Sequence, residues 1–482
     1  MGIDVGTVVK LQNDEDALGI CHEALQLAHY EDVLDKTQAL IESNRDHLEA
    51  WLMRAEALAG MDRLADAITA YDRLVDISPR HPLAHVRRGR LLAKMGRHAE
   101  AHAAYAHAFG LNRGALTALH GLLNYEHISP DDPALSQLRK GVADDRLRSD
   151  HRALGCFLLG RILFNSGRDE EAYVAYALGN RLARESVHTA QTAPVFSRIR
   201  PWLDDQEWQK LGDPAQANPA CPALVIAGLP RSGKSLVESL LAHHPRVRLG
   251  GELGILSQTV RRFSGDETQT AVQTLQSIQN ASPRPLHHAY GAAVLKHGAS
   301  AGGEWITDTL PDNLWHLGYL GWLDPKVPVI LCRRNPLDLG VAIYFTQFGA
   351  GHHYSYDQNE LGATLAAAEH AMALWARILP NPVLLLDYEQ MVSSPDQTQS
   401  RIEKFLGLSA GSLCSKPVGS HASVTLHPSH SRDDFEIIRS DMVGFGDRFK
   451  HHFSDMVSAY EAGMTDPQRL FKPGFHEKTH PL

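Results

Sequence analysis

The stretch Gly228-Leu-Pro-Arg-Ser-Gly-Lys-Ser235 follows directly on the apolar run Ala223-Leu-Val-Ile-Ala227. Residues of these types in this order can hold an anion. Gly228 and Gly233 let the backbone turn its N–H groups inward, and the helix-like segment Leu236–Leu241 adds its positive N-terminus. Arg231 and Lys234 contribute full charges. The stretch predicts a phosphate cradle and therefore a nucleotide ligand. Gly228-x-x-x-x-Gly233-Lys234-Ser235 also satisfies the Walker A pattern, with Lys234 on the β/γ-phosphates and Ser235 on magnesium. On that reading the chain is an ATP- or GTP-dependent kinase or ATPase. Val383-Leu-Leu-Leu-Asp387, an apolar strand ending in a carboxylate, is then the candidate Walker B segment.

The elements that must position the cradle are legible on both sides. Val327–Cys332 and Val383–Leu386 read as further short buried strands, with a helical stretch over 361–379 between them. Buried strands alternating with helices predict an α/β domain with a parallel sheet. Ahead of it the chain is Ala-rich and repetitive at a spacing of 34 residues. Trp51, Ala55, Ala67, Tyr71 and Pro79 mark one copy, and Gly89, Gly96, Ala101, Tyr105 and Ala108 the next. Gly160, Gly167, Ala172, Tyr176 and Gly179 repeat the second set later. This pattern resembles the tetratricopeptide repeat, a helix–turn–helix unit in which small residues admit close helix packing and aromatics fill the space between units. The resemblance covers about residues 14–186, with 14–47 and 119–152 as degenerate copies. Such a solenoid offers a groove for a peptide or protein, or serves as a spacer or dimerisation arm. Trp202–Trp208 reads as a short helix and Asp213–Pro219 as a linker. The expected domains are a helical repeat domain over 1–186, a helical linker over 187–222, and a P-loop-like α/β domain over 223–482.

The surroundings of the cradle resemble another family more closely than the P-loop kinases. Leu229-Pro-Arg-Ser-Gly233, Leu236-Val-Glu238, His244-Pro245 and Gly250-Gly-Glu-Leu253 are similar to the 5′-phosphosulfate loop of sulfotransferases, in particular the bacterial tetratricopeptide-repeat sulfotransferases and the tyrosylprotein sulfotransferases. Thr307-Asp-Thr-Leu-Pro-Asp-Asn313 resembles the family's Asp-Lys-x-Pro-x-Asn segment. Cys332-Arg-Arg-Asn-Pro-Leu-Asp338, with Tyr344-Phe345, resembles its 3′-phosphate segment. Arg439-Ser-Asp-Met-Val-Gly444 and Gly446–Phe453 resemble its C-terminal Arg-x-Gly-x-x-Gly-Asp-Trp-Lys-x-x-Phe stretch, with a two-residue insertion. Asp387-Tyr-Glu389 stands where that family has Arg-Tyr-Glu, which weakens the Walker B reading.

The resemblance implies a sulfuryl transfer from 3′-phosphoadenosine 5′-phosphosulfate (PAPS) to a hydroxyl or amine, leaving adenosine 3′,5′-bisphosphate (PAP), with no metal required. Gly228, Pro230, Arg231, Ser232, Gly233, Lys234 and Ser235 would hold the 5′-phosphosulfate. Arg334, Asp338, Arg439, Gly444 and Lys450 fall in the segments matched to the rest of the nucleotide. Glu252 matches the family's acidic position and is the expected general base, with Lys234 and Arg231 stabilising charge on the leaving group. The alternative for Glu252 is a carboxylate that serves only its own helix N-terminus.

Three positions depart from the family pattern. Lys234-Ser235 replaces Thr-Thr, Thr309 replaces the catalytic lysine, and Ala342 replaces the phosphate-binding serine eight residues after Arg334. A lost hydroxyl–phosphate contact costs about 1.5–3 kcal/mol. A lost charge stabiliser costs about 10²–10³ in rate. Lys234 compensates if its ammonium takes the place of the missing lysine. A catalytically degenerate binding protein is the other reading that these departures allow.

Composition narrows the partners. The net charge of −9 over 482 residues argues against non-specific binding to nucleic acid or an anionic membrane. The five cysteines are scattered without a Cys-x-x-Cys, which fits reduced thiols in the cytoplasm. No apolar stretch approaches spanning length, and Met1-Gly-Ile-Asp lacks the pattern of a signal peptide. The 28 histidines, including four His-His pairs, have no zinc-ligand spacing and read as surface and loop histidine. His352-His-Tyr-Ser-Tyr356 is a candidate lining of the acceptor pocket. The acceptor itself is a protein tyrosine, a carbohydrate, a lipid headgroup or a small molecule.

Overall fold

The helices of the repeat region begin where polar turns end and Ala- and Leu-rich amphipathic stretches start. The computed structural model describes residues 16–25, 29–61, 63–186, 221–242, 244–264, 290–295, 305–349, 351–413 and 440–466. These fall into two compact units. The first runs to Leu147 and takes in Arg161–Arg168; the second holds Arg148–Gly160 and what is described from Asp169 onward.

After a helical stretch over 16–25, the first unit contains helices α1 (Tyr30–Ser43), α2 (Leu48–Gly60), α3 (Leu64–Ile77), α4 (Pro82–Lys94), α5 (His98–Leu111), α6 (Leu116–Leu122) and α7 (Ser136–Ala143). The pairs α2/α3 and α4/α5 are the two clear repeats. Histidines cap both first helices: His47 accepts from the Ala50 amide and His81 from the Ala84 amide. Tyr105 of α5 packs against Gly89 and Gly121, where a Cβ would collide with its ring. The stretch 119–152 departs from the repeat pattern. Two of its helices are short: α6 ends at Leu122, and α7, of eight residues, follows a 3₁₀ turn that opens on Pro133. Helix α8 (Ser149–Asn165) joins the two units' sequences, and α9 (Asp169–Ser186) lies in the second unit. There the Tyr176 ring stacks on Phe345 at 4.1 Å, and the Asn180 amide donates to the Tyr344 carbonyl at 2.9 Å.

The second unit is built on five strands: β1 (Ala223–Ala227), β2 (Val247–Arg248), β3 (Trp305–Asp308), β4 (Val329–Arg333) and β5 (Val383–Asp387). All pair in parallel, in the order β2-β3-β1-β4-β5. Ala223 faces Ile306 on one side, and Val225 faces Val329 on the other. The helices between the strands are α10 (Lys234–Leu241), α11 (Ile255–Ser264), α12 (Leu317–Leu323), α13 (Pro336–Tyr344) and α14 (Gln358–Ile378), and after β5 come α15 (Tyr388–Ser393), α16 (Pro395–Leu406) and α17 (Ser454–Thr465). Leu224, Ile226, Val237, Leu241, Ile330, Leu386, Met391 and Ile402 form the core that joins sheet to helices. The sheet order turns back at β1, so the loop leaving β1 opens onto the crevice where parallel sheets bind ligands. Among the described residues no helix is long and apolar enough to cross a membrane. The expected helix over 202–208 and the linker after it lie outside the described residues.

Candidate active site

β1 is buried along its whole length and delivers Gly228 to the crevice. Gly228 has φ 153°, and a Cβ there would stand 2.5 Å from the Cys332 carbonyl oxygen. Gly233, at φ 101°, is the left-handed residue that starts α10, and a Cβ on it would meet Met391 and Tyr388. Between them Arg231 takes φ 69°, the one positive φ outside glycine among the described residues. A side-chain residue held in that region marks a backbone shaped by its surroundings. The loop is therefore tightly turned, and within it the Ser232 amide donates to the Leu229 carbonyl at 3.3 Å. Pro230 and Ser232 are buried within it, while Ser235 is exposed. The Ser232 hydroxyl has no hydrogen-bond partner.

Lys234 is buried and turns back onto the loop. Its Nζ donates to the carbonyls of Gly228 at 3.0 Å and Leu229 at 2.9 Å. Burial lowers its pKa to about 8, against the opposing pull of Cys332 and Glu252 and with a further push from Arg231. Glu252 is thus among the charges that act on the lysine.

Arg334 follows β4. Its Nη1 donates to the Arg231 carbonyl at 3.1 Å and its Nη2 to the Met442 carbonyl at 2.7 Å. The guanidinium lies 4.3 Å from the centre of the Tyr388 ring, a cation–π contact. Its Nε is buried and has no partner. Asn335 caps α13 by accepting from the Leu337 and Asp338 amides, and the Asn335 amide donates to Glu389 at 2.8 Å, so the chain around Arg334 is fixed on both sides. Asp338 accepts from the amides of Gly444 at 2.7 Å and Gly446 at 2.8 Å. Its carboxylate is thereby committed to the C-terminal segment, and Gly444 takes part as the other half of that clasp. Lys450 is exposed and lines a cleft with Asp447 and His451. Arg439 lies outside the described residues.

Glu252 is exposed on the turn after β2. Glu238 and Asp308, two buried carboxylates, hold that turn. Glu238, buried on α10, accepts from the Gly251 amide at 3.1 Å and from the Thr307 hydroxyl. Asp308 accepts from the amides of Leu253 and Leu310. Burial raises its carboxyl to about 6, while those amides and the Asn313 side chain pull it back. Thr309 is buried, with its amide on the Gly251 carbonyl at 2.8 Å. Ala342 is buried as well.

The His352–Tyr356 segment borders the same region. Burial lowers the His352 pKa; Asp312 opposes the shift, and Lys234 and His353 add to it. The Tyr354 hydroxyl and His352 Nδ1 are 3.3 Å apart, and the Tyr356 hydroxyl donates to the Phe348 carbonyl. Both tyrosines are buried, so they pack rather than present their rings.

Asp387, the candidate Walker B carboxylate, is committed to an ion pair: it ends the edge strand β5, and its Oδ1 accepts from Arg333 Nε at 2.7 Å.

Residues 222–411 match the family model described as "Sulfotransferase family", and residues 48–81 match a tetratricopeptide-repeat model. An uncharacterized protein of Aquifex aeolicus (strain VF5) is 22% identical over 400 residues, 79% of this chain and 51% of that protein. Protein-tyrosine sulfotransferase 2 of Gallus gallus is 27% identical over 197 residues, 39% of this chain and 52% of that protein. The chain thus spans about half the length of these curated relatives. Among solved structures, the sulfotransferase domain from the curacin biosynthetic pathway is 15% identical, with a TM-score of 0.32, over 51% of this chain and 98% of that one.

Proposed function

We propose that this chain, whose residues 48–81 match a tetratricopeptide-repeat model and whose residues 222–411 match a sulfotransferase-family model over a central parallel sheet, is a PAPS-dependent sulfotransferase acting on a hydroxyl or amine acceptor. The observation that carries the reading is the tightly turned loop between β1 and α10, with Gly228, Arg231 and Gly233 all at positive φ and the Arg334 guanidinium bound to its Arg231 carbonyl. Such glycine-bearing loops ahead of a helix N-terminus, with an arginine beside them, suit anionic oxygens.

When bound, PAPS supplies a sulfuryl group and a phosphate leaving group that needs cationic support. The amides after Gly228, with Arg231, Ser232 and Ser235, would hold the 5′ end. Arg334 would hold the 3′ end, and Asp338 and Gly444 would keep the C-terminal segment folded beside it. Lys234 would exchange its two carbonyl partners for the developing negative charge, which replaces the lysine that Thr309 does not provide. Glu252 would accept the proton of the acceptor. The repeat region would recruit or present that acceptor. The likeness to a protein-tyrosine sulfotransferase makes a tyrosine-containing peptide the first acceptor to try. The buried free thiols of Cys21, Cys156, Cys221 and Cys332 suit a reducing compartment such as the cytoplasm.

Calorimetric titration with PAP, with ATP·Mg²⁺ as the parallel ligand, tests the reading. Preferential binding of PAP is the expected result. Preference for ATP·Mg²⁺ overturns it in favour of a kinase or ATPase. Tight PAP binding with no PAP release from PAPS across an acceptor panel points to the degenerate binding protein.

A further inference from the structure

We propose that Glu170, His451 and His452 form a binding site for a borderline divalent transition metal of the zinc class. Glu170 lies in the first turn of α9, and the two histidines end the 3₁₀ segment Phe445–His452. His451 Nε2 is 3.0 Å from one carboxylate oxygen of Glu170, and His452 Nε2 is 2.9 Å from the other. The three donor atoms lie within 4.8 Å of one another.

Two imidazole nitrogens and a carboxylate are the donor set that zinc, cobalt and nickel prefer. An ion about 2.1 Å from each donor in tetrahedral geometry holds neighbouring donors roughly 3.4 Å apart. The two histidine–carboxylate separations, each to its own oxygen, need open by about half an ångström, and any donor pair at the 4.8 Å limit needs to close by no more than about 1.4 Å.

The ligands are held in place by groups that do not themselves coordinate. The His452 ring stacks on Tyr173 at 3.8 Å, with 6° between the planes. Its carbonyl accepts from Gln358 Nε2 at 2.9 Å, which fixes the backbone as well. Tyr173 is one turn beyond Glu170 on the same face of α9, so one helix carries both a ligand and the platform for another. Arg448 forms an ion pair with Asp169, anchoring the segment just before the histidines. The rings of His451 and His452 lie 4.0 Å apart, which directs both at one point. A cleft of about 560 Å³ lined by Asp447, Lys450, His451 and Ser454 opens beside them. It gives an ion an entry path and room for water as a further ligand. A bound ion would fasten the segment whose other end supplies Met442 to Arg334 and Gly444 to Asp338. The site stands on these residues alone and does not depend on the reaction assigned to the cradle.

The test uses the full chain without a histidine tag. Titration with Zn²⁺ by calorimetry and with Co²⁺ by visible absorption is compared between wild type, Glu170→Gln and His451→Ala. Both variants change exposed side chains, and circular dichroism in the absence of metal confirms their folds. One Zn²⁺ equivalent that weakens at least about tenfold in each variant, with loss of the Co²⁺ ligand-field bands, is the expected result. Other histidines of the chain contribute equally to all three proteins and cancel. Zn²⁺ affinity and Co²⁺ spectra unchanged in both variants would overturn the site.

Discussion

Lys234 Nζ lies 3.0 Å from the carbonyl oxygen of Gly228, so the lysine of the cradle closes its own loop. The charge is buried, and its pKa falls to about 8. An unfolded lysine titrates at about 10.4, so between about pH 8 and 10.4 the unfolded chain holds a proton that the folded chain lacks. Stability contributed by this residue therefore rises with pH across that window, by about 3 kcal/mol. Urea unfolding of wild type and Lys234→Met at pH 7 and pH 10 should show the wild type gaining on the variant by that amount. A gap that stays constant with pH would mean that Lys234 keeps its proton throughout.

Asp308 has the opposite dependence. Its folded carboxyl titrates near 6 and its unfolded one near about 3.9, so the folded chain holds the extra proton between those values. Stability is lost as pH rises through 6. Asn at this position keeps an oxygen for the Leu253 and Leu310 amides and removes the charge. Asp308→Asn should be more stable than wild type at pH 7.5, by up to about 3 kcal/mol, with the difference closing toward pH 4. Thermal melts across that range are the check, and equal melting at every pH would refute the buried charge.

Glu238 is predicted to be a positioning residue. Removing its carboxylate leaves the Gly251 amide and the Thr307 hydroxyl without their acceptor. Each stranded buried donor costs about 1–3 kcal/mol. Glu238→Ala should therefore melt lower, and turnover should fall because Glu252 is no longer held on a rigid turn. Gln at this position retains an acceptor oxygen and should recover a substantial part of both losses. Equal damage by Gln and Ala would show that the charge, rather than the acceptor, matters.

Arg334 reaches two carbonyls at once while its plane lies on Tyr388. A lysine has one charged point and no plane, so it cannot make all three contacts. Arg334→Lys should weaken PAP binding by about 10- to 100-fold, corresponding to about 1.5–3 kcal/mol for a charge-assisted contact. Affinity within twofold of wild type would place the 3′-phosphate elsewhere.

What the sequence made legible was local. β1, β4 and β5 stand out because each is a run of four or five apolar residues, and the cradle is legible because its glycines, charges and following helix are contiguous. The Gly89–Tyr105 packing follows from repeat spacing. β3 was seen only as a motif. Trp305-Ile-Thr-Asp308 is short and half polar, and its strand character comes from the partners on either side. The same distance in sequence hid Glu238, whose meaning depends on Thr307 and Gly251 meeting it in space. His451 and His452 read as loop histidines because their third partner, Glu170, lies 281 and 282 residues away. Asp387 ends a strand as a Walker B carboxylate should, but the sequence does not display its ion pair with Arg333 of the neighbouring strand.

The sheet order also sets a timetable for synthesis. The paired helices of the repeats touch their immediate neighbours in sequence, so each hairpin can form as soon as it leaves the ribosome. β1 has no such option. Ala223 must wait for Ile306, and Val225 for Val329, before either finds a backbone partner. Until then the apolar Ala223–Ala227 segment, and the cradle that depends on it, has no sheet to enter. The nascent second unit is therefore the part of this chain with most need of a chaperone, and the cradle is among the last features to acquire its shape.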